Sequence, residues 1–402
     1  MSGAAVRVLV VEDSPTVRHC LRQALSADPD ITVVAEAADG AAAVDLCRRL
    51  RPDVVTMDVV LPGMSGLAAT ERIMAATPTP ILVVSAAERS QVFTTYDALA
   101  AGAVDVMEKP RGDSSDGVWG QRLRASVRLL ARVPVVTRHR PGAASATRQA
   151  PAAAATTGGG SAAPAPPGGP PGPPPGRPRP GPPAPAPPHP HTPARGGAGR
   201  VALLAVGAST GGPAAVVALL CALPEAFRLP VLLVQHMAAD GPFVAGYADW
   251  LGGRTGRDVA YARGGEEVAA LHGRVVLAPP DRHLTVQHSG RLYLSAAPPR
   301  HSCRPSVDTL FDSVATAYGP AAAACLLSGM GSDGASGLLA VRQAGGHTFA
   351  QDEATCVVYG MPKVAVGLGA VDHPLPPAQM GRRLAALAGV DPSGGHRWRT
   401  RC

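Results

Sequence analysis

The stretch Val201-Ala-Leu-Leu-Ala-Val206-Gly207-Ala-Ser209-Thr-Gly-Gly-Pro213, followed by Ala214–Leu223, decides the reading of this chain. Val201–Val206 is an apolar run of strand length, and Ala214–Leu223 suits a helix. Between them lies a glycine-rich turn carrying one serine. Gly-x-Ser-x-Gly at such a junction exposes the serine hydroxyl at a helix N-terminus, where free backbone N–H groups can stabilise an oxyanion. A phosphate-binding glycine turn is the rival reading of the same residues.

Working outward, Pro230–Gln235 is the next apolar strand, and it ends at His236-Met237. Ala321–Leu327 is another, running into Ser328-Gly-Met330-Gly-Ser-Asp333-Gly334. In a parallel sheet the carboxyl ends of the strands share one edge, where ligands bind. Ser209, His236 and Asp333 therefore meet there, as nucleophile, base and orienter would. Their chain order is not the Ser–Asp–His of the α/β-hydrolases. A phosphate loop, for its part, needs no histidine and aspartate on neighbouring strand ends. Taken singly, His236 also reads as a core histidine, and Asp333 as the N-cap of a helix over Ala335–Ala344. His283 and Asp308 are given no catalytic role, and Asp352-Glu353 reads as a solvated loop.

The N-terminal part repeats the grammar. Runs at Val6–Val11, Ile31–Val34, Val54–Met57, Ile81–Ser85 and Val104–Met107 alternate with helix-period segments such as Ala41–Leu50, Val92–Ala100 and Val118–Ala131. Five strands alternating with helices predict an α/β doubly wound parallel sheet. Its strand ends carry Glu12 and Asp13, Asp58, Ser85 and Lys109. Three carboxylates on one edge repel unless a cation joins them, and an oxygen-only set suits Mg²⁺. An ammonium alongside can pair with a phosphoryl oxygen. Only Lys109 and Lys363 are lysines among 37 basic residues. A lysine where arginine is the default marks a place that wants a compact point charge.

Between the two globular parts, residues 141–200 hold 19 of the 42 prolines and 12 of the 46 glycines, with no Asp or Glu. Such a segment cannot bury enough apolar surface to offset its ordering entropy, and reads as a disordered, polyproline-II-rich tether. The expected organisation is a first domain at 1–130, a tether at 131–199, a second domain at 200–390 and a basic tail at 391–402. The five arginines of residues 141–200 supply most of the +7 net charge, and aromatics are only 3% of the chain. A near-neutral folded part of that kind argues against nucleic-acid binding. The seven cysteines show no Cys-x-x-Cys and read as reduced thiols. No signal peptide is evident, and no apolar run approaches the ~18 residues of a membrane span. A soluble, cytoplasmic protein is expected.

Residues 5–125 resemble the response-regulator receiver domain, on Glu12-Asp13, the loop from Met57-Asp58 to Gly66, Ser85 and Lys109-Pro110. The resemblance implies that Asp58 accepts a phosphoryl group from a histidine kinase and that Glu12, Asp13 and Asp58 hold Mg²⁺. It also implies that Ser85 and Lys109 sense the phosphoryl group. The aromatic switch that many receivers carry three residues before the lysine is here Val106. Residues 200–390 are similar to the catalytic domain of the protein-glutamate methylesterase/protein-glutamine glutaminase family of chemotaxis. The matching segments are Gly207–Gly212, Gln235–Met237, Ala278–Leu284, Arg304–Asp308, Leu327–Gly334, Ala350–Thr355 and Tyr359–Lys363. The family implies a Ser209–His236–Asp333 triad with oxyanion support from Thr210 and the Met330 backbone. It implies no cofactor in that domain and methylated chemoreceptors as substrate, met at the membrane only through the receptors. A non-enzymatic receiver-linked module, its serine turn holding a phosphate or nucleotide, is the alternative.

Overall fold

The computed structural model describes residues 5–86, 89–109, 117–133, 200–237 and 242–391. Most of the expected tether, Pro110 and nearly all of the expected basic tail lie outside these residues. The first sheet is built from β1 (Val6–Val11), β2 (Ile31–Ala37), β3 (Val54–Met57), β4 (Ile81–Ser85) and β5 (Asp105–Glu108). The helices α1 (Pro15–Ser26), α2 (Gly40–Leu50), α3 (Gly66–Ala76), α4 (Arg89–Ala101) and α5 (Val118–Leu130) alternate with them. All pairings are parallel, in the order β2-β1-β3-β4-β5. The order reverses between β1 and β3, which puts the ends bearing Glu12, Asp13 and Asp58 at the switch point, where such sheets bind ligands.

The second domain opens with β6 (Leu203–Ala208), α6 (Gly212–Cys221), β7 (Val231–Gln235) and α7 (Pro242–Thr255). Short strands β8 (Val259–Tyr261) and β9 (Val275–Leu277) follow, then a hairpin of β10 (His283–Val286) and β11 (Leu292–Ser295). The chain closes with α8 (Val307–Tyr318), β12 (Ala322–Leu326), α9 (Ala335–Gln343), β13 (His347–Gln351), α10 (Met361–Gly367), β14 (His373–Leu375) and α11 (Pro377–Leu387). The main sheet has the parallel order β14-β13-β12-β6-β7-β9-β8. β6 thus lies between β12 and β7, so the ends carrying Ser209, His236 and Asp333 are adjacent, as expected.

Strand alternation builds a core on each face of this sheet. Along β6, Leu204, Val206 and Ala208 face one apolar cluster, and Leu203 and Ala205 face the other. The first of these clusters continues through Tyr247 and Trp250 of α7 to Tyr96 of α4 and the first sheet. The two domains therefore share buried apolar surface where α4 packs on α7.

Candidate active site

The turn after β6 needs glycine at position 211. Gly211 sits at φ +73°, and a Cβ there would fall 2.4 Å from Val357 Cβ. L-residues avoid that backbone region, and β-branched Val357 cannot swing aside. Gly211→Ala is expected to cost at least tenfold in turnover with a lowered melting temperature, read by a rate assay and a thermal melt.

Gly212 N–H closes the turn on the Ser209 carbonyl at 2.8 Å, and α6 starts there. The half-positive end of α6 therefore faces the cavity beside the serine. Gln235 Nε2 donates to the carbonyls of Ser209 and His236, both at 2.9 Å, tying the β6 and β7 turns together. The sequence motif contained Gln235, but nothing in its spacing disclosed this bridging role.

His236 Nε2 lies 3.0 Å from Asp333 Oδ2. Asp333 also accepts from Ser306 Oγ at 2.8 Å, Val307 N–H at 2.7 Å and Asp308 N–H at 3.0 Å. Asp333 does not cap the helix that follows it, because Gly334 is the N-cap of α9. Its carboxylate instead satisfies orphan N–H groups at the start of α8. Burial alone would raise this carboxyl, but the His236 imidazole 3.0 Å away and bonds from Asp308, Val307 and Ser306 hold it below the usual carboxylate range. Burial alone would depress the His236 imidazole, yet its contacts with Asp333 and Cys303 push it up to about 9.

Ser209, Thr210, His236 and Met330 line one cavity of about 370 Å³. Ser209 Oγ makes no hydrogen bond among the described residues. His236 Nδ1, the nitrogen left over by Asp333, faces Cys303 Sγ at 4.0 Å. Catalytic hydrogen bonds are often long before substrate binds. Cys303 went unnoticed in the sequence because it comes from a loop between β11 and α8, not from a strand end. His283 is a satisfied core histidine: its Nδ1 accepts from Ser306 N–H at 3.1 Å, and its Nε2 lies 3.1 Å from the Pro298 carbonyl. Asp308 is buried and accepts from Gly337 N–H at 2.6 Å.

At the first sheet's switch point, carboxylate oxygens of Glu12, Asp13 and Asp58 lie within 4.8 Å of one another. Lys109 Nζ is 2.8 Å from Asp58 Oδ2 and 2.9 Å from Glu12 Oε2. Burial pushes the Glu12 carboxyl up, although Lys109 counters it. Burial alone would lower the Lys109 ammonium, but its bonds to Asp58 and Glu12 hold it above the ordinary lysine value. A fully buried glutamate crowded by Asp58 is a site short of positive charge, and an all-oxygen donor set fits Mg²⁺. Of the described cysteines, Cys20, Cys47, Cys303, Cys325 and Cys356 are free thiols, as expected. Cys221 instead is disulfide-bonded. No described helix is long and apolar enough to cross a membrane.

Two family models match the chain: the response regulator receiver domain over residues 8–115 and CheB methylesterase over residues 204–384. Protein-glutamate methylesterase/protein-glutamine glutaminase 2 of Anaeromyxobacter dehalogenans (strain 2CP-C) is 42% identical over 95% of this chain and 97% of its own length. Protein-glutamate methylesterase/protein-glutamine glutaminase 4 of Myxococcus xanthus (strain DK1622) is 43% identical, over 91% and 92%. The crystal structure of the Thermotoga maritima CheB methylesterase catalytic domain is 35% identical and covers 46% of this chain and 98% of that one, with a TM-score of 0.44. Identity of this extent along nearly the whole of both curated relatives establishes that the chain belongs to the protein-glutamate methylesterase/protein-glutamine glutaminase family.

Proposed function

We propose that this chain is a phosphorylation-regulated hydrolase that demethylates glutamate methyl esters, and deamidates glutamines, on chemoreceptors. Residues 1–130 form the receiver, 131–199 the tether and 200–390 the catalytic domain. The observation that carries the reading is the His236–Asp333 pair at 3.0 Å, beside Ser209 in one cavity. A phosphate-binding turn leaves that pair without a purpose.

Ser209 Oγ attacks the ester carbonyl carbon while His236 Nδ1 takes its proton. Asp333, held ionised, fixes the imidazole through Nε2 and stabilises the imidazolium. The oxyanion is met by Thr210 and the Met330 backbone at the N-terminal side of α6. Collapse returns the proton to the leaving methoxide, releasing methanol and an acyl-serine. Water, deprotonated by His236, then frees the glutamate and the serine. With glutamine, ammonia leaves in place of methanol.

In the receiver, Asp58 is the phosphoryl acceptor, a histidine kinase the donor, and Glu12, Asp13 and Asp58 the Mg²⁺ ligands. The ion would neutralise phosphoryl charge, while Lys109 holds a proton-bearing nitrogen at the same place. The regulatory reading rests on what lines the cavity: Leu99, Val104 and Val106 of the receiver border the same cavity as Ser209 and His236. Thr95 Oγ1 of α4 donates to Ser85 Oγ at 3.1 Å, and the next residue, Tyr96, packs on Tyr247 and Trp250. A phosphoryl group that draws Ser85 toward Asp58 competes with that bond, which gives α4 a relay that needs no aromatic at Val106.

The test is methanol release from methylated receptor membranes, with and without a small phosphodonor. Asp58→Asn is expected to keep the unstimulated rate within about twofold and to lose the stimulation. Stimulation of Asp58→Asn equal to wild type would place the phosphoryl group elsewhere.

A further inference from the structure

We propose that Cys303 and His236 together form a binding site for a thiolate-seeking divalent cation, zinc above all, whose occupation switches the esterase off. The inference rests on the reading of His236 as the catalytic base.

The geometry is that of two ligands waiting for one ion. Cys303 Sγ is 4.0 Å from His236 Nδ1. With Zn–S about 2.3 Å and Zn–N about 2.0–2.1 Å, an ion between them would subtend about 130°, and an approach of roughly half an ångström would bring the angle to tetrahedral. The ligand atoms of His236, Cys303 and Asp333 all lie within 4.8 Å of one another.

The support behind the histidine is also that of a metal site. Metal-bound imidazoles generally donate their other N–H to a carboxylate, which fixes the tautomer and raises ligand basicity. Here Nε2 faces Asp333 Oδ2 at 3.0 Å, and three further donors keep Asp333 ionised. The nitrogen that is left, Nδ1, points at the thiol. Cys303 is held there by a tight turn: Arg300 N–H donates to the Cys303 carbonyl at 3.1 Å, and Cys303 N–H returns a bond to the Arg300 carbonyl at 2.9 Å. The two residues between, His301 and Ser302, both sit at positive φ, +50° and +62°. Non-glycine residues there persist only where their surroundings enforce it.

The donor set selects the ion. Sulfur and imidazole favour zinc and its neighbours, whereas the oxygen-only set of Glu12, Asp13 and Asp58 suits Mg²⁺. The two sites in one chain should therefore not compete for the same cation. On binding, the thiol proton leaves to solvent, sulfur and Nδ1 each donate a lone pair to the ion, and water or Ser209 Oγ completes its shell. The Nδ1 lone pair is the one that would accept the serine proton, so an occupied site cannot start the reaction.

The experiment uses the full-length chain, freed of metal by a chelator and titrated with zinc chloride while methanol release is followed. Wild type, Cys303→Ser and Cys303→Ala are each normalised to their own zinc-free rate. Wild type is expected to lose at least tenfold at a zinc concentration that leaves either variant above half its rate. A chelator should restore it, and millimolar Mg²⁺ should not inhibit. Cobalt(II) offers a readout independent of turnover: wild type should show a sulfur-to-cobalt charge-transfer absorption that both variants lack. Equal zinc sensitivity in wild type and variants overturns the proposal, as does a wild-type rate indifferent to zinc or a cobalt spectrum without the sulfur band. A chain that releases no methanol yet shows the Cys303-dependent band would overturn the esterase reading and leave the metal site standing.

Discussion

Alanine at Ser209 is expected to lower methanol release by about 10⁴-fold or more, some 5 kcal/mol of transition-state stabilisation, with no loss of fold. The serine hydroxyl makes no hydrogen bond among the described residues, so its removal should leave the thermal melt unchanged. His236→Ala should cost a similar factor. The double variant should be hardly worse than either, because the members of a triad act as a unit. Asp333 separates chemistry from architecture. Its carboxylate serves the imidazole and also receives Ser306 Oγ and the N–H groups of Val307 and Asp308. Asp333→Ala should therefore lose activity and also melt lower, since buried donors without partners cost about 1–3 kcal/mol each. Rates and melts measured side by side decide the assignment. A Ser209→Ala protein that keeps more than about a tenth of the rate would move the nucleophile elsewhere.

The same contrast explains what the sequence disclosed. Ser209, His236, Asp333, Asp58 and Lys109 all sit at strand ends, and the rule that parallel strands present their carboxyl ends at one edge makes strand ends readable without coordinates. Cys303 obeys no such rule. It reaches His236 from a loop whose course depends on two left-handed residues, and nothing in Arg300-His-Ser-Cys303 announces them. Asp333, legible as the orienter, also reads in sequence as a cap of the helix that follows it; that its carboxylate reaches α8 instead is a tertiary fact. The aromatic contacts were hidden in another way. Tyr96, Tyr247 and Trp250 belong to no motif and sit at no strand end, so nothing in the sequence singles them out. Only the packing of α4 on α7 reveals that part of each helix's apolar face belongs to the other domain.

That packing makes the second large effect predictable. Tyr96 lies 5.1 Å from Tyr247 and 5.2 Å from Trp250 between ring centroids, and Trp250 Nε1 donates to Asp97 Oδ1 at 2.9 Å. Gly246 of α7 faces α4 closely: a Cβ there would lie 2.4 Å from Val92 Cγ1 of α4. Leucine at 246 cannot be accommodated without parting the helices, whereas in an undocked catalytic domain it costs little beyond exposure. Tyr96→Ala attacks the contact from the receiver side, and truncating a central aromatic anchor typically costs ~2–4 kcal/mol. Either change should lower the closed-to-open ratio by about 30-fold or more. Unstimulated methanol release should then rise at least about tenfold, up to the rate wild type reaches with phosphodonor, since the open fraction cannot exceed one. Stimulation should shrink below about twofold in the same proteins. Adding Asp58→Asn to Gly246→Leu should leave the high rate untouched, because opening no longer waits on the phosphoryl group. The length of the tether makes this a fair test of the surface itself: effective concentration falls roughly as the −3/2 power of linker length, so covalent confinement contributes little to closure. If Gly246→Leu and Tyr96→Ala kept the wild-type unstimulated rate and its full stimulation, the receiver would not cover Ser209 in solution, and phosphorylation would have to act on engagement of the receptor.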